Sequence, residues 1–135
     1  MLRLKATTAE DCAVLGALLQ DALIPLSDIA FDPGEKRFMA VANRFRWEEA
    51  SAKERIHSGF EVHGVTSLRR RDLDVSDRGQ FLNLLTVAHT PEAVTLTFSG
   101  GALLQLLGEG LELRLTDFGT PWPCESVPTH EGEGS

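Results

Sequence analysis

The turn Asp32-Pro33-Gly34-Glu35, set between two extended β-prone segments, constrains the fold of this chain more than any other stretch. Pro33 holds φ at about −65° and Gly34 accepts positive φ, so a hairpin is expected within residues 28–47. Its second arm is apolar on both faces at first. Odd positions carry Met39, Val41, Phe45 and Trp47; even positions carry Phe38, Ala40 and Ala42, then change to Arg44 and Arg46. A strand apolar on both faces lies inside a sheet with something packed over it. Two alanines in register mark where that cover comes closest.

An N-terminal helix is the natural cover. Leu2-Arg3-Leu4-Lys5 alternates as a short opening strand. Thr7-Thr8-Ala9-Glu10 then reads as a capping box, with the Thr7 hydroxyl taking orphan N–H groups and Glu10 reaching back. Val14, Leu15, Leu18, Leu19 and Ala22 recur at helical spacing, opposite Glu10, Asp11, Gln20 and Asp21. This predicts an amphipathic helix over residues 8–22, its leucine stripe against Ala40 and Ala42.

Beyond the hairpin, residues 48–55 are polar and form an exposed connection with room for a helical turn. Phe60, Val62, Thr66 and Leu68 predict a half-buried strand over residues 58–69, with Gly64 marking a bulge or close backbone approach. Residues 70–79 connect to a strand over 81–88, apolar on both faces. Val94, Leu96 and Phe98 mark the next strand, Gly100-Gly101 fits a type I′ turn, and residues 102–107 return. Residues 109–118 match two patterns. Leu111, Leu113 and Leu115 alternate like a strand, whereas Leu111, Leu115 and Phe118 share a helical face. Acids at 109 and 112, with Gly119 and Pro121 beyond, favour a short C-terminal helix.

These elements predict an α+β domain: a mainly antiparallel, strongly curved sheet or partial barrel of six to seven strands, with the N-terminal helix and a short C-terminal one. Residues 1–122 form the globular unit and 123–135, rich in Pro, Gly and Glu, a flexible tail. A chain of 135 residues holds one core of proper size. No apolar run approaches the roughly 18–20 residues that span a bilayer, and Met1-Leu2-Arg3-Leu4-Lys5 does not open a signal peptide. A cytoplasmic location away from membranes is therefore expected. Cys12 and Cys124 lie far apart and read as free thiols.

The net charge is −7, unevenly placed: residues 36–78 hold ten of the thirteen basic side chains against seven acids. Within that basic middle, Arg69, Arg70 and Arg71 at a strand end cannot all face inwards, and guanidinium forks suit phosphate or carboxylate. Arg44 and Arg46 share a face at the edge of the core beside Trp47, and Arg and Trp are enriched among residues that dominate binding. These six are the candidate binding residues. The opposing reading pairs the arginines with Asp72, Asp74, Glu48 and Glu49 nearby in sequence. Nucleic acid is disfavoured, because there is no tyrosine and the phenylalanines sit in core-like patterns.

The patterns of known catalytic chemistry are incomplete. His57 and His63 have no partners at structural-zinc spacing. The acidic stretch 72–79 echoes a calcium loop but places Asp77 where a glycine is needed and Asn83 where a bidentate Glu belongs. There is no Gly-x-Ser-x-Gly elbow, and Cys12 in an Ala/Val/Leu-rich helix reads as a small core residue. Neither a metal, a cofactor nor a catalytic residue is expected.

Taken with Glu35-Lys36-Arg37-Phe38, Asn43-Arg44-Phe45-Arg46-Trp47-Glu48, Thr95-Leu96-Thr97-Phe98-Ser99-Gly100-Gly101 and Asp117-Phe118-Gly119 with Trp122, the chain resembles a family of small uncharacterised alphaproteobacterial proteins, a domain of unknown function, over nearly its full length. The resemblance implies a stand-alone cytoplasmic domain and carries no activity or site residues. Two functions follow. One is a non-enzymatic binding or adaptor domain for a protein or an anionic small molecule, with open sheet edges that predict a homodimer. The other is a small enzyme whose pocket gathers residues distant in sequence. An apolar patch or open strand edge would favour the first, a polar pocket with His and carboxylate the second.

Overall fold

The computed structural model describes residues 2–125 and 127–128. In chain order the elements are β1 (Arg3–Ala6), α1 (Ala9–Leu18), β2 (Ala22–Pro25), β3 (Ile29–Asp32), β4 (Arg37–Phe45), β5 (Glu54–Arg71), β6 (Phe81–Thr90), β7 (Ala93–Phe98) and β8 (Leu103–Pro123). Short 3-10 turns lie at Leu26–Asp28, Trp47–Ala52 and Ser99–Gly101. Every strand pairing is antiparallel. The order runs β1-β8-β5-β4-β2-β6-β7, and β7 returns to pair with β8. The sheet thus curls into a ring, with β1 added outside β8 and β3 outside β4.

Two long strands and a bend at Gly64 make the curl. The lower part of β8 pairs with β1, from Arg3 opposite Thr116 to Ala6 opposite Leu113, and its upper part pairs with β7, from Ala93 opposite Leu107 to Thr97 opposite Leu103. Between these parts the β5–β8 register shifts, from His63 opposite Glu112 to Val65 opposite Gly108. Gly64, at φ +94°, supplies the bend expected of it, and a Cβ there would lie 2.6 Å from the Glu109 carbonyl oxygen. A bulge of this kind turns the strand and increases its twist.

The hairpin forms where its turn predicts it, β3 against β4 with Phe31 opposite Phe38. Its positive φ falls on Lys36, not Gly34. The turn is held by the Glu35 N–H donating to Asp32 Oδ1 at 3.2 Å and the Lys36 N–H to the Pro33 carbonyl at 3.3 Å. The β7–β8 hairpin also forms, but over three residues. The Phe98 N–H bonds to the Ala102 carbonyl, with Gly100 and Gly101 at φ 84° and 91°.

Residues 109–118 are strand, not helix. Leu111, Leu113 and Leu115 alternate into the core while Glu112 and Arg114 face outwards and pair. Pairing partners on both sides, β1 and β5, decide for the strand against the short helix that the boundary residues favour. The helix is also shorter than its apolar spacing implies. Thr8, not Thr7, caps it, accepting from the Asp11 N–H at 3.1 Å. Asp21 adopts φ 62° and its N–H bonds to Leu84 O at 2.7 Å, so Ala22 begins a strand instead of continuing the helix.

The principal neighbours of α1 are β6 and β1 instead of β4. A Cβ on Gly16 would sit 3.3 Å from Val87 Cβ, which shows how closely the helix approaches β6. Cys12, Leu15 and Leu19 enter the same core as Ala40 and Ala42, while Val14 points outwards, 53 % exposed. Residues 126 and 129–135, most of the stretch expected to be a tail, lie outside the described residues. Within that stretch, β8 runs on to Pro123 and the Cys124 N–H bonds to the Lys53 carbonyl at 2.8 Å.

Candidate functional site

At one end of the ring the sheet has a gap. Strand β6 starts with Phe81 opposite Pro25, so β2 is paired on that side. The chain then passes through the Leu26–Asp28 turn into β3, which among the described residues pairs with β4 alone. Ile29, Ala30 and Phe31 all line a cleft of about 220 Å³. Successive strand side chains point to opposite faces. Three consecutive residues on one wall therefore mean that the edge of β3, backbone included, faces the cleft.

Strand β5 supplies Leu68 and Arg70 to the opposite wall, β8 supplies Leu104, and residues 72–80 arch over with Leu73, Val75 and Arg78. Leu73 is buried and anchors that arch. Asp74 Oδ1 accepts from the Ser76 N–H at 2.9 Å and its hydroxyl at 2.6 Å, which holds the Asp74 carboxyl below the usual range. Gln80 donates to the Asp74 and Asp77 carbonyls, and the Leu26 N–H bonds back to Gln80 O at 3.0 Å. The acidic stretch is thus a capped loop, and it forms one lip of the cleft.

The three adjacent arginines separate. Arg70 faces the cleft, and Arg69 and Arg71 fall on the other face of β5. All three are exposed, as is Arg78. None of the four forms an ion pair with an acid among the described residues; Arg70 influences Asp74 only through space.

Arg44 is not at the surface. It continues the inward face of Phe38, Ala40 and Ala42 and is 0 % exposed. Its Nε donates to Asp117 Oδ1 at 2.9 Å and to Ser58 Oγ at 3.1 Å, and Nη2 donates to Asp117 Oδ2 at 2.6 Å. Glu48 takes the outer fork, from Nη1 at 2.9 Å and Nη2 at 2.7 Å, and Nη1 also reaches the Phe45 carbonyl at 3.2 Å. Every N–H of the guanidinium has a partner. Burial works to lower the Arg44 pKa, but the hydrogen bonds and charges of Glu48 and Asp117 outweigh it and raise it. Burial likewise works to raise that of Asp117, and Arg44 and Ser58 hold it below its ordinary value.

The other two residues of that trio brace the same region. Arg46 pairs with Glu54 at 2.5 Å. Trp47 packs edge-on against Phe45, centroids 4.8 Å apart, and its Nε1–H donates to Gln20 O at 3.0 Å. The Trp47–Ala52 turn is thereby fastened to the far end of β4 from the cleft.

Two features escaped the sequence reading. Ser58 and Asp117 sit in phase with buried apolar positions, Ser58 with Ile56 and Phe60, Asp117 with Leu113 and Leu115. An acid and an arginine each in phase with an apolar face is the signal that marks such a pair. Phe118 and Phe81 are 44 % and 67 % exposed, outside the core. On the outer face Phe118 stacks on His57, centroids 5.8 Å apart, with Trp122 tilted against the same ring. His63 meets Glu61 at 3.1 Å. Cys12 is buried, and burial together with Asp11 pushes its thiol up. Among the described residues no group of three His, Cys, Asp or Glu side chains is placed to hold a metal, and no helix is long and apolar enough to cross a membrane.

A family model described as "Protein of unknown function (DUF2948)" matches residues 2–130. The chain belongs to that family. The DUF2948 match contains every strand of the ring, so the cleft and the Arg44 cluster both lie within it. No curated protein and no solved structure matches the chain.

Proposed function

We propose that the protein is a non-enzymatic, cytoplasmic binding domain, its globular unit spanning residues 1–122. Its cleft receives an apolar side chain from an acidic segment of a partner protein. One observation carries this reading: an apolar cleft flanked by Arg70 and Arg78, neither of which forms an ion pair with an acid among the described residues. At about 220 Å³ the cleft is smaller than the roughly 300–1,000 Å³ of small-molecule sites. It suits one or two side chains. Burying a leucine-sized group contributes about 1.5–3 kcal/mol, and the arginines select the charge beside it. Among the described residues no histidine, cysteine or carboxylate lines the cleft, which favours binding over the enzyme alternative.

Selection from a displayed random-peptide library tests the proposal. Enrichment of leucine, isoleucine or phenylalanine beside Asp and Glu is expected. The Arg70→Glu, Arg78→Glu variant should shift the neighbours towards Lys and Arg. Absence of enrichment, or enrichment indifferent to charge reversal, would overturn it. A small anion released from denatured native protein and identified by mass spectrometry would favour the anionic small molecule.

A further inference from the structure

We infer that the partner segment binds as an added β-strand on the free edge of β3, an inference that rests on the binding function proposed for the cleft. The edge exists because β6 begins opposite Pro25, leaving Ile29–Asp32 with β4 on one side and no strand on the other among the described residues. An unpaired edge presents main-chain N–H and C=O groups to any chain that can lie beside it. This one opens into the cleft, since Ile29, Ala30 and Phe31 line it in succession.

Comparison with the other outer strand shows why β3 is the receptive edge. Among the described residues strand β1 also pairs on one side only, with β8, and carries the exposed cations Arg3 and Lys5 at alternate positions. The groove beside it is lined mostly by charged side chains, Arg3, Lys5, Glu61 and Arg114, and offers an apolar side chain no seat. Strand β3 carries no charge until Asp32, and its exposed Ala30 leaves the backbone accessible. A strand laid on β3 puts alternate side chains on one face, and the apolar wall of Leu68, Leu73 and Leu104 accepts that set. Arg70 and Arg78 then favour acids in the same segment. Main-chain bonds supply affinity, and the cleft with its arginines supplies choice.

The test uses an end-blocked octapeptide alternating leucine and glutamate, made also as single backbone N-methyl forms at each position. Binding is followed by fluorescence anisotropy, and amide hydrogen exchange of the intact protein is measured with and without peptide. The expected result is binding with a period of two in the N-methyl series. Methylation of amides facing β3 weakens binding roughly tenfold and methylation of the others leaves it nearly unchanged, while exchange slows at the amides of β3 that do not already bond within the fold. If the peptide binds, loses affinity with Arg70→Glu, and tolerates methylation everywhere, strand addition is overturned while the cleft reading stands. No binding by the octapeptide at all overturns both. Light scattering that returns two chain masses, with β3 amides already protected before peptide is added, assigns the edge to a second copy of the chain and overturns the inference.

Discussion

Arg44 holds Asp117, 73 residues away in the chain, through two parallel bonds, Nε to Oδ1 at 2.9 Å and Nη2 to Oδ2 at 2.6 Å, with both side chains shut off from solvent. Two charges desolvated together are tolerable because each fork is filled, Glu48 and the Phe45 carbonyl taking the remaining Nη donors and the Ser58 hydroxyl donating to Asp117 Oδ1. The pair joins β4 to β8 across β5, which lies between them in the sheet.

Removing one partner leaves the other charge buried alone. Arg44→Met is expected to cost about 3–5 kcal/mol of stability by urea denaturation. Arg46→Ala, which breaks a half-exposed pair with Glu54, is expected to cost about 0–1 kcal/mol. Equal, small losses from the two would show that the cluster does not hold the ring together.

The same cluster sets an acid limit. Arg44 holds the carboxyls of Asp117 and Glu48 below their ordinary values, against burial that acts the other way. The unfolded chain, with ordinary values of about 4, therefore takes up protons first as pH falls. The stabilisation is fully present above about pH 4 and is lost as pH drops through the folded values. Melting temperatures measured from pH 7 to pH 2.5 should fall steeply at the acid end for the native chain. Asp117→Asn, less stable throughout, should show a shallower fall.

Gly64 is required by its backbone and by space. At φ +94°, with the Glu109 carbonyl where a Cβ would go, Gly64→Ala should cost about 1–3 kcal/mol. A Cβ on Gly59 meets nothing nearer than 3.9 Å, so Gly59→Ala should change stability by less than about 1 kcal/mol. Urea midpoints of the two variants, side by side, decide the point.

Phe118 and Phe60 are both phenylalanines on paired long strands, yet only Phe60 is fully buried. Phe60→Ala should cost about 3–5 kcal/mol, and Phe118→Ala, on the solvent face against His57, about 1 kcal/mol or less. Calorimetry of the two variants measures the difference directly.

Much of this fold is legible in the residues because its determinants are local. The Asp32-Pro33-Gly34-Glu35 turn, the alternation of Phe60 and Val62 and the Gly100-Gly101 reversal depend on neighbours a few positions away. The mainly antiparallel, curved sheet with one helix follows from them. Other features depend on what lies opposite. Leu111, Leu113 and Leu115 satisfy a strand, and Leu111, Leu115 and Phe118 a helix, until β1 and β5 offer partners on both sides. Ala22 fits a helical stripe until Asp21 turns and bonds to Leu84. Arg44 reads as the point where an apolar face meets water, because its counter-charge lies on another strand and only the strand order brings the two together. The cleft is further removed still, since it is made by the place where β6 stops. Period and turn chemistry are written along the chain, whereas the burial of a charge and the opening of an edge are decided by which strand comes to lie alongside.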